Sequence, residues 1–391
     1  MKAFIGLIVV LTGITSAPAA PTPGMRLRVI ETSAEFAHTM AARFPGQVQT
    51  LSAGVVLVPQ NLVREFSQIS HDLTGHCGGF MDITGEASTT TANLDRAVND
   101  AEPLPALDGK RDWVATLVNE VRASNIKDFV TSYSSHFTTR LASSPEGEAA
   151  PAWLRDSWQK MADAAGRTDI KVELVTPPSG YNQNSVRITI PGKDANAAYV
   201  ILGAHLDSIN HQDGGLAPGV DDDGSGISSL TETFRVLLQH KIMPNRTIQI
   251  FGYAAEELGL LGSRVIAEQY QANNARVRAV LQIDMDAFPG EAKTITFITD
   301  HTNPALTQWT EQLYGLYVGG QVREERCGYG CSDHASWDRY GYPAVMPFES
   351  LMNDMNGRIH SAGDVWDEQL DAEYAARFEK LAVAFACELS N

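Results

Sequence analysis

A three-layer α/β domain, with helices on both faces of a mixed, mostly parallel sheet, is the fold predicted for this 391-residue chain. Two observations lead to it. Short apolar runs rich in β-branched residues alternate with stretches whose apolar residues recur at helical spacing, the pattern of strands joined by crossover helices. Histidines and acids also fall where those runs end, and in such sheets function gathers in the loops past the carboxyl ends of strands.

The α/β pattern begins near residue 112. Trp153-Leu-Arg-Asp-Ser-Trp158 sits in a helix, and Ile170 to Val175 and Val186 to Ile190 read as strands, with a turn over Pro191-Gly-Lys-Asp194. Ala198 to Gly203 is an apolar run suited to a strand buried on both faces. Ile227, Leu230, Phe234, Leu237 and Leu238 then repeat at helical spacing. Ile248 to Phe251 is a second buried strand, Ser263 to Gln271 a helix, and Val280 to Ile283 a third strand. Ile295 to Ile298 and Ala344 to Met346 add two more, and Tyr374, Phe378, Leu381 and Phe385 mark a final amphipathic helix.

Ahead of this domain, Met1-Lys2, an apolar stretch from Ala3 to Ala17 and the small-residue site Ala17-Pro18-Ala19 read as a signal peptide over residues 1–19. Export is the expectation; a retained N-terminal anchor is the alternative. No other stretch reaches about 18 uncharged apolar residues, so a membrane span is not expected. Residues 20–105 carry no chemical motif beyond a β-like run at Val55-Val-Leu-Val58, and Ala101 to Arg111 resembles a linker with two prolines and a basic pair. We read 20–105 as a small propeptide segment and 106–391 as the catalytic domain; a stable N-terminal domain that stays attached is the alternative.

Formal net charge is −17 with a sequence pI near 5.0, so the surface repels phosphate backbones and nucleic-acid binding is not expected. Of four cysteines, Cys327 and Cys331 are close enough in sequence to bridge, while Cys77 and Cys387 have no obvious partners.

Five places carry the chemistry. Gly203-Ala-His205-Leu-Asp207-Ser208 follows a strand; His205 can give a metal one ring nitrogen while Asp207 accepts the other N–H. Pro218-Gly-Val-Asp221-Asp222-Asp223-Gly-Ser-Gly226 packs three acids into a turn. Adjacent carboxylates repel unless solvated, capping a helix or neutralised, and capping needs one acid, so three suggest a cation. Glu256 and Glu257 follow an apolar strand; one can ligate metal while the other acts as general base. Asp284 closes another strand, and His360 lies among late polar loop residues. Histidine and carboxylate ligands without thiolates suit zinc or a similar divalent ion. With one carboxylate bridging, this set supplies three ligands to each of two metals.

Residues from about 112 to 390 resemble the M28 metallopeptidases, and among them the secreted bacterial leucyl aminopeptidases. The motifs are Gly203-Ala-His-Leu-Asp-Ser208, Ala217-Pro-Gly-Val-Asp-Asp-Asp-Gly-Ser-Gly226, Tyr253-Ala-Ala-Glu-Glu-Leu-Gly259, Gln282-Ile-Asp-Met285 and Cys327-Gly-Tyr-Gly-Cys-Ser-Asp-His-Ala-Ser-Trp337. The resemblance implies a monomeric zinc exopeptidase that hydrolyses peptides or proteins from their N-termini with water activated by two Zn2+. It assigns His205 and Asp284 to one zinc, Glu257 and His360 to the other, and Asp222 between them. Glu256 becomes the general base, Asp207 the support of His205, and Tyr329 a stabiliser of the oxyanion. Cys327 and Cys331 become a disulfide that holds Tyr329, and Met285 and Phe348 line the pocket for the first side chain. An inhibitory propeptide is also implied. The chain departs from the resemblance at Ser361-Ala-Gly-Asp364, where relatives carry threonines before the acid; this is expected to bear on the rim, not on a ligand or the base. The rivals are a one-zinc glutaminyl cyclase and a non-catalytic binding relative on the same fold. Paired Glu256 and Glu257 favour the peptidase over the first, and a full ligand set favours an enzyme over the second.

Overall fold

The computed structural model describes residues 26–74, 79–85, 103–175, 180–212 and 214–391. The expected signal peptide and Cys77 lie outside these residues.

Every second residue of the central strands points to the same side, and this decides the layers. In β7 (Tyr199–His205), Val200 and Leu202 enter one core and Ile201 the other. In β8 (Ile248–Tyr253), Ile248 and Ile250 face the first core, and Phe251 and Tyr253 the second. In β9 (Val277–Gln282), Ala279 and Leu281 divide from Val280 in the same way. These strands are parallel, as is β12 (Ala344–Phe348) against β9. Around them lie β5 (Lys171–Val175), β6 (Ser185–Ile190), β10 (Ile295–Ile298) and β11 (Val322–Glu325), giving the order β11-β10-β12-β9-β7-β8-β6-β5. The pairs β5–β6, β6–β8 and β10–β12 are antiparallel, so the sheet is mixed and its centre parallel, as expected.

The larger core is covered by helices with long apolar stripes. These are α5 (Pro145–Ala164), α6 (Gly226–Gln239), α8 (Pro304–Tyr317) and α10 (Ala372–Ser390), flanked by α3 (Asp112–Val118) and α4 (Ala123–His136). The opposite face is covered by α7 (Leu261–Ala272) and the short α9 (His334–Arg339). Cys387 is a buried thiol in α10. Among the described residues, no helix is long and apolar enough to cross a membrane.

Ahead of this domain, β1 (Leu27–Thr32), β2 (Gln49–Ser52), β3 (Val55–Pro59) and β4 (Phe80–Asp82) form an antiparallel sheet in the order β2-β3-β1-β4. With it go α1 (Ala34–Arg43) and α2 (Val63–Thr74). This unit has no core to itself. Phe66, Ile69 and Phe80 share one cluster with Leu141, Ile209, Ala255, Leu258 and Leu261 of the larger domain. The β4 backbone adds Asp82 N–H to the Gly259 carbonyl at 3.0 Å.

Residues 103–111 are docked rather than free. The Pro105 carbonyl accepts the Trp309 indole N–H at 2.8 Å, and Arg111 N–H donates to the Tyr317 hydroxyl at 2.8 Å.

Candidate metal centre and active site

Three neighbouring parallel strands end together. His205 is the last residue of β7, Glu256 and Glu257 follow β8, and Asp284 follows β9. Asp222 comes from the kinked turn Val220–Ser225 ahead of α6, where its dihedrals (φ −105°, ψ 98°) leave the helical region. His360 arrives from the loop between β12 and α10. Three non-glycine residues here take left-handed backbone: Ala255 (φ 52°) before Glu256, Met285 (φ 59°) after Asp284, and His360 itself (φ 55°). Such conformations are sparsely populated and persist where surrounding contacts hold them, often at functional sites.

The buried side chains converge on Asp222. One of its oxygens lies 3.0 Å from His205 Nε2 and the other 3.0 Å from His360 Nε2. Asp284 Oδ1 stands 3.5 Å from His205 Nε2, and Glu257 Oε2 stands 3.1 Å from His360 Nε2. Asp222, Glu257 and His360 place ligand atoms within 4.8 Å of one another, as do His205, Asp284 and Asp223. Asp223 differs from Asp222 in one respect. Its Oδ2 already accepts His205 N–H, and its Oδ1 accepts Gly226 N–H and Met285 N–H. We therefore place Asp222 between the two groups and treat Asp223 as a brace of the local backbone.

The three consecutive acids thus divide their work. Asp223 binds the start of α6, Asp222 faces both imidazoles, and Asp221 accepts from Ala287 N–H and the Asn356 amide. The Asp364 carboxylate receives Asp221 N–H at 2.9 Å and Asp222 N–H at 3.1 Å. The acid of the 361–364 segment thus holds the backbone of Asp222 directly, whereas the departure from the resemblance lies in Ser361-Ala-Gly363 ahead of it.

Asp207 lies 3.5 Å from His205 Nδ1 and also accepts Glu256 N–H (2.9 Å) and Glu257 N–H (3.3 Å). One carboxylate therefore orients an imidazole and fixes the loop of both glutamates.

The electrostatics describe a set that wants positive charge. Burial pushes Glu256 well above the carboxylate range, with Glu257, Asp333 and Asp284 adding to the shift and His205 opposing it. Burial carries Glu257 up to about 7, with Asp222 adding and His360 opposing. Burial alone would lower both histidines, yet neighbouring acids raise His205 well above its usual value and His360 to about 10. Both Glu256 oxygens and Asp284 Oδ1 are buried without a hydrogen-bond partner. Two imidazoles among closely set carboxylates, with carboxylate oxygens left over, are the donor set a divalent cation takes.

Beside this set, Asp284, Met285, Ile298, Tyr329, Cys331, Met346, Phe348, Met352 and Met355 enclose about 290 Å3 of empty space, its open mouth included. Tyr329 is half-buried between Cys327 and Cys331, which are joined as a disulfide. The structure thus sets close together the residues that the resemblance assigns to the ligands, the base, the support of His205, the pocket and the disulfide. Sequence reasoning gave no separate role to Asp364, Asp223 or Asp333, the last buried and receiving the Gln282 amide at 3.3 Å. It also missed His71 of α2, whose ring centroid lies 4.6 Å from that of His360.

Fold and donor set together define a metallohydrolase built on a parallel-centred sheet. The sequence pattern of peptidase family M28 matches residues 185–386, and the chain belongs to that family. A probable leucine aminopeptidase of Arthroderma otae is 33% identical over 380 residues, spanning 94% of this chain and 99% of the relative. The crystal structure of the Legionella pneumophila LapA aminopeptidase superposes with a TM-score of 0.81 at 30% identity, covering 94% of this chain and 99% of its own. A Bacteroides thetaiotaomicron glutaminyl cyclase shares the fold at 15% identity and a TM-score of 0.56, covering 69% of this chain and 98% of its own. The enzyme class is that of the metallo-aminopeptidases, hydrolases of peptide bonds.

Proposed function

We propose that this chain is an exported aminopeptidase that releases leucine or another apolar residue from the free N-terminus of peptides and proteins, acting with two zinc ions. The observation that carries the reading is the pair of donor groups joined through Asp222, beside an apolar cavity that Asp284 also lines. His205 and Asp284 would hold one zinc, Glu257 and His360 the other, with Asp222 between them. Bound there, the pair supplies Lewis acidity towards the substrate carbonyl and lowers the pKa of water.

The chain's own residues do the rest. The cavity walled by Met285 and Phe348 takes the first side chain and orients the peptide. Glu256, which makes no hydrogen bond with its carboxylate, takes the proton from the attacking water and returns it to the leaving amine. Tyr329, set by the Cys327–Cys331 bridge at the edge of the same cavity, donates to the developing oxyanion. Asp207 keeps His205 and both glutamates in place.

Residues up to about 105 act as an inhibitory propeptide in this reading. Supporting it, α2 packs against the site: Ser67 bonds His211, and His71 lies against His360. The Met1 to Ala19 start supports export, and a monomer suffices because one chain carries the whole donor set. A one-zinc cyclase would leave one of the two donor groups without a task.

Glu256→Gln tests the assignment of the base. The variant should retain both zincs by atomic emission while kcat falls by about 10²–10⁴-fold, the range for loss of general base catalysis. Turnover near wild type would remove Glu256 from that role.

A further inference from the structure

Arg140 lies in the connection between α4 and α5 and is fully buried. Its guanidinium donates only to carbonyl oxygens among its hydrogen bonds: Nε to Leu206 at 2.9 Å, Nη1 to Pro218, and Nη2 to Gly219 at 2.8 Å. A buried arginine is rare unless paired, and carbonyls satisfy its planar fork only where several are aimed at it. Leu206 stands between His205 and Asp207, and Pro218-Gly219 opens the turn that carries Asp222. One side chain therefore spans the two loops that deliver His205 and Asp222.

The brace extends through the Arg140 backbone. Its N–H donates to Ser208 Oγ at 3.0 Å, and Ser208 Oγ donates to the Ala217 carbonyl at 2.7 Å. The Arg140 carbonyl accepts the Gln183 amide at 2.9 Å, and Gln183 Oε1 accepts Ala255 N–H, directly ahead of Glu256. Tyr133 packs under the guanidinium, its ring centroid 4.5 Å from the guanidinium carbon, and donates its own hydroxyl to Leu206 O at 3.0 Å. The fit is close. Gly219 has φ 52°, and a Cβ there would lie 2.8 Å from Arg140 Nη2 and 2.5 Å from Ser208 Cβ.

We infer that Arg140 is a positioning residue for the metal centre: it fixes the loop of His205 against the loop of Asp222 and, through Gln183, the loop of the two glutamates. This rests on the reading of those residues as metal ligands. Arg140 touches neither a ligand side chain nor the apolar cavity in its hydrogen bonds, so its effect should fall on cation binding rather than on substrate affinity.

The test compares wild type, Arg140→Met, Arg140→Lys and Trp158→Phe in the full chain. Trp158 is a buried core residue whose indole bonds Thr231 in the helical layer, and its variant controls for lost stability alone. Zinc affinity is read by competition with a chromophoric chelator, folding by circular dichroism, and kcat and KM with leucine p-nitroanilide. Arg140→Met is expected to fold, to bind zinc about 10–100-fold more weakly, the usual cost of losing a group that orients ligands, and to lose kcat at non-saturating zinc. Its KM should stay within about twofold. Arg140→Lys should recover little, because a point-like ammonium cannot replace the fork. Wild-type zinc affinity in both Arg140 variants, equal weakening in Trp158→Phe, or failure of both Arg140 variants to fold in saturating zinc would each overturn the inference. Failure of wild type to bind zinc would instead overturn the reading of the ligands, and the inference with it.

Discussion

Asp207 accepts hydrogen bonds from the backbones of Glu256 and Glu257 and lies 3.5 Å from His205 Nδ1. Asp207→Asn should lose at least the contacts of one oxygen, because Asp207 accepts with both and an amide offers one acceptor and sets its NH2 against a backbone N–H or the imidazole. Zinc affinity is expected to fall about 10–100-fold in chelator competition; unchanged affinity would make Asp207 dispensable. The residues facing the site centre were legible in the sequence because their types are metal donors and they sit at strand ends. His205, Glu256, Glu257 and Asp284 show that combination, and Asp222 was legible instead as one of three consecutive acids in a glycine-rich turn. Their supports were not legible. Arg140 reads as an ordinary polar loop residue, and its carbonyl partners lie 66, 78 and 79 residues away. Asp364 acts on Asp222 across 142 residues. Nothing in a local pattern encodes such pairings.

Elements were legible in proportion to how fully they are buried. The strand β7 is an apolar run up to His205, and β8 and β9 are apolar apart from Gln249, Arg278 and Gln282, because both of their faces are covered. β7 runs beyond the expected Gly203 to His205 because the pairing with β8 continues to Tyr253. Helix α10 announced itself through Tyr374, Phe378, Leu381 and Phe385, all buried against the larger core. Phe385→Ala should destabilise the domain by about 3–5 kcal/mol in urea unfolding, through the lost transfer term and the cavity left behind; a cost below about 1 kcal/mol would mean the helix contributes little there. Edge elements were unreadable for the complementary reason. β11 reads Val-Arg-Glu-Glu because it lies at the edge of the sheet, where charge keeps other strands from pairing. α8 passed unread although Asn303 caps it, Pro304 occupies its first turn and Leu306, Trp309, Leu313, Tyr314 and Tyr317 recur at helical spacing along it.

For the whole molecule, the N-terminal unit was the part least visible in advance. Its strands are short, β2 is exposed throughout, and its apolar residues complete a core only with Leu141, Ala255, Leu258 and Leu261. A unit whose core is shared shows half a pattern in its own sequence. The same sharing sets α2 over the site; residues 103–111 dock separately on the larger domain, so activity is best measured on a chain that keeps them. The central claim, a metal-dependent enzyme that requires a free N-terminus, is tested most directly with leucine p-nitroanilide beside its N-acetylated form, before and after zinc chelation. Cleavage of the free-amine substrate alone, abolished by chelator and restored by zinc, is the predicted result. Equal cleavage of the acetylated substrate, activity that survives complete removal of metal, or no cleavage by the folded, zinc-loaded protein would contradict it.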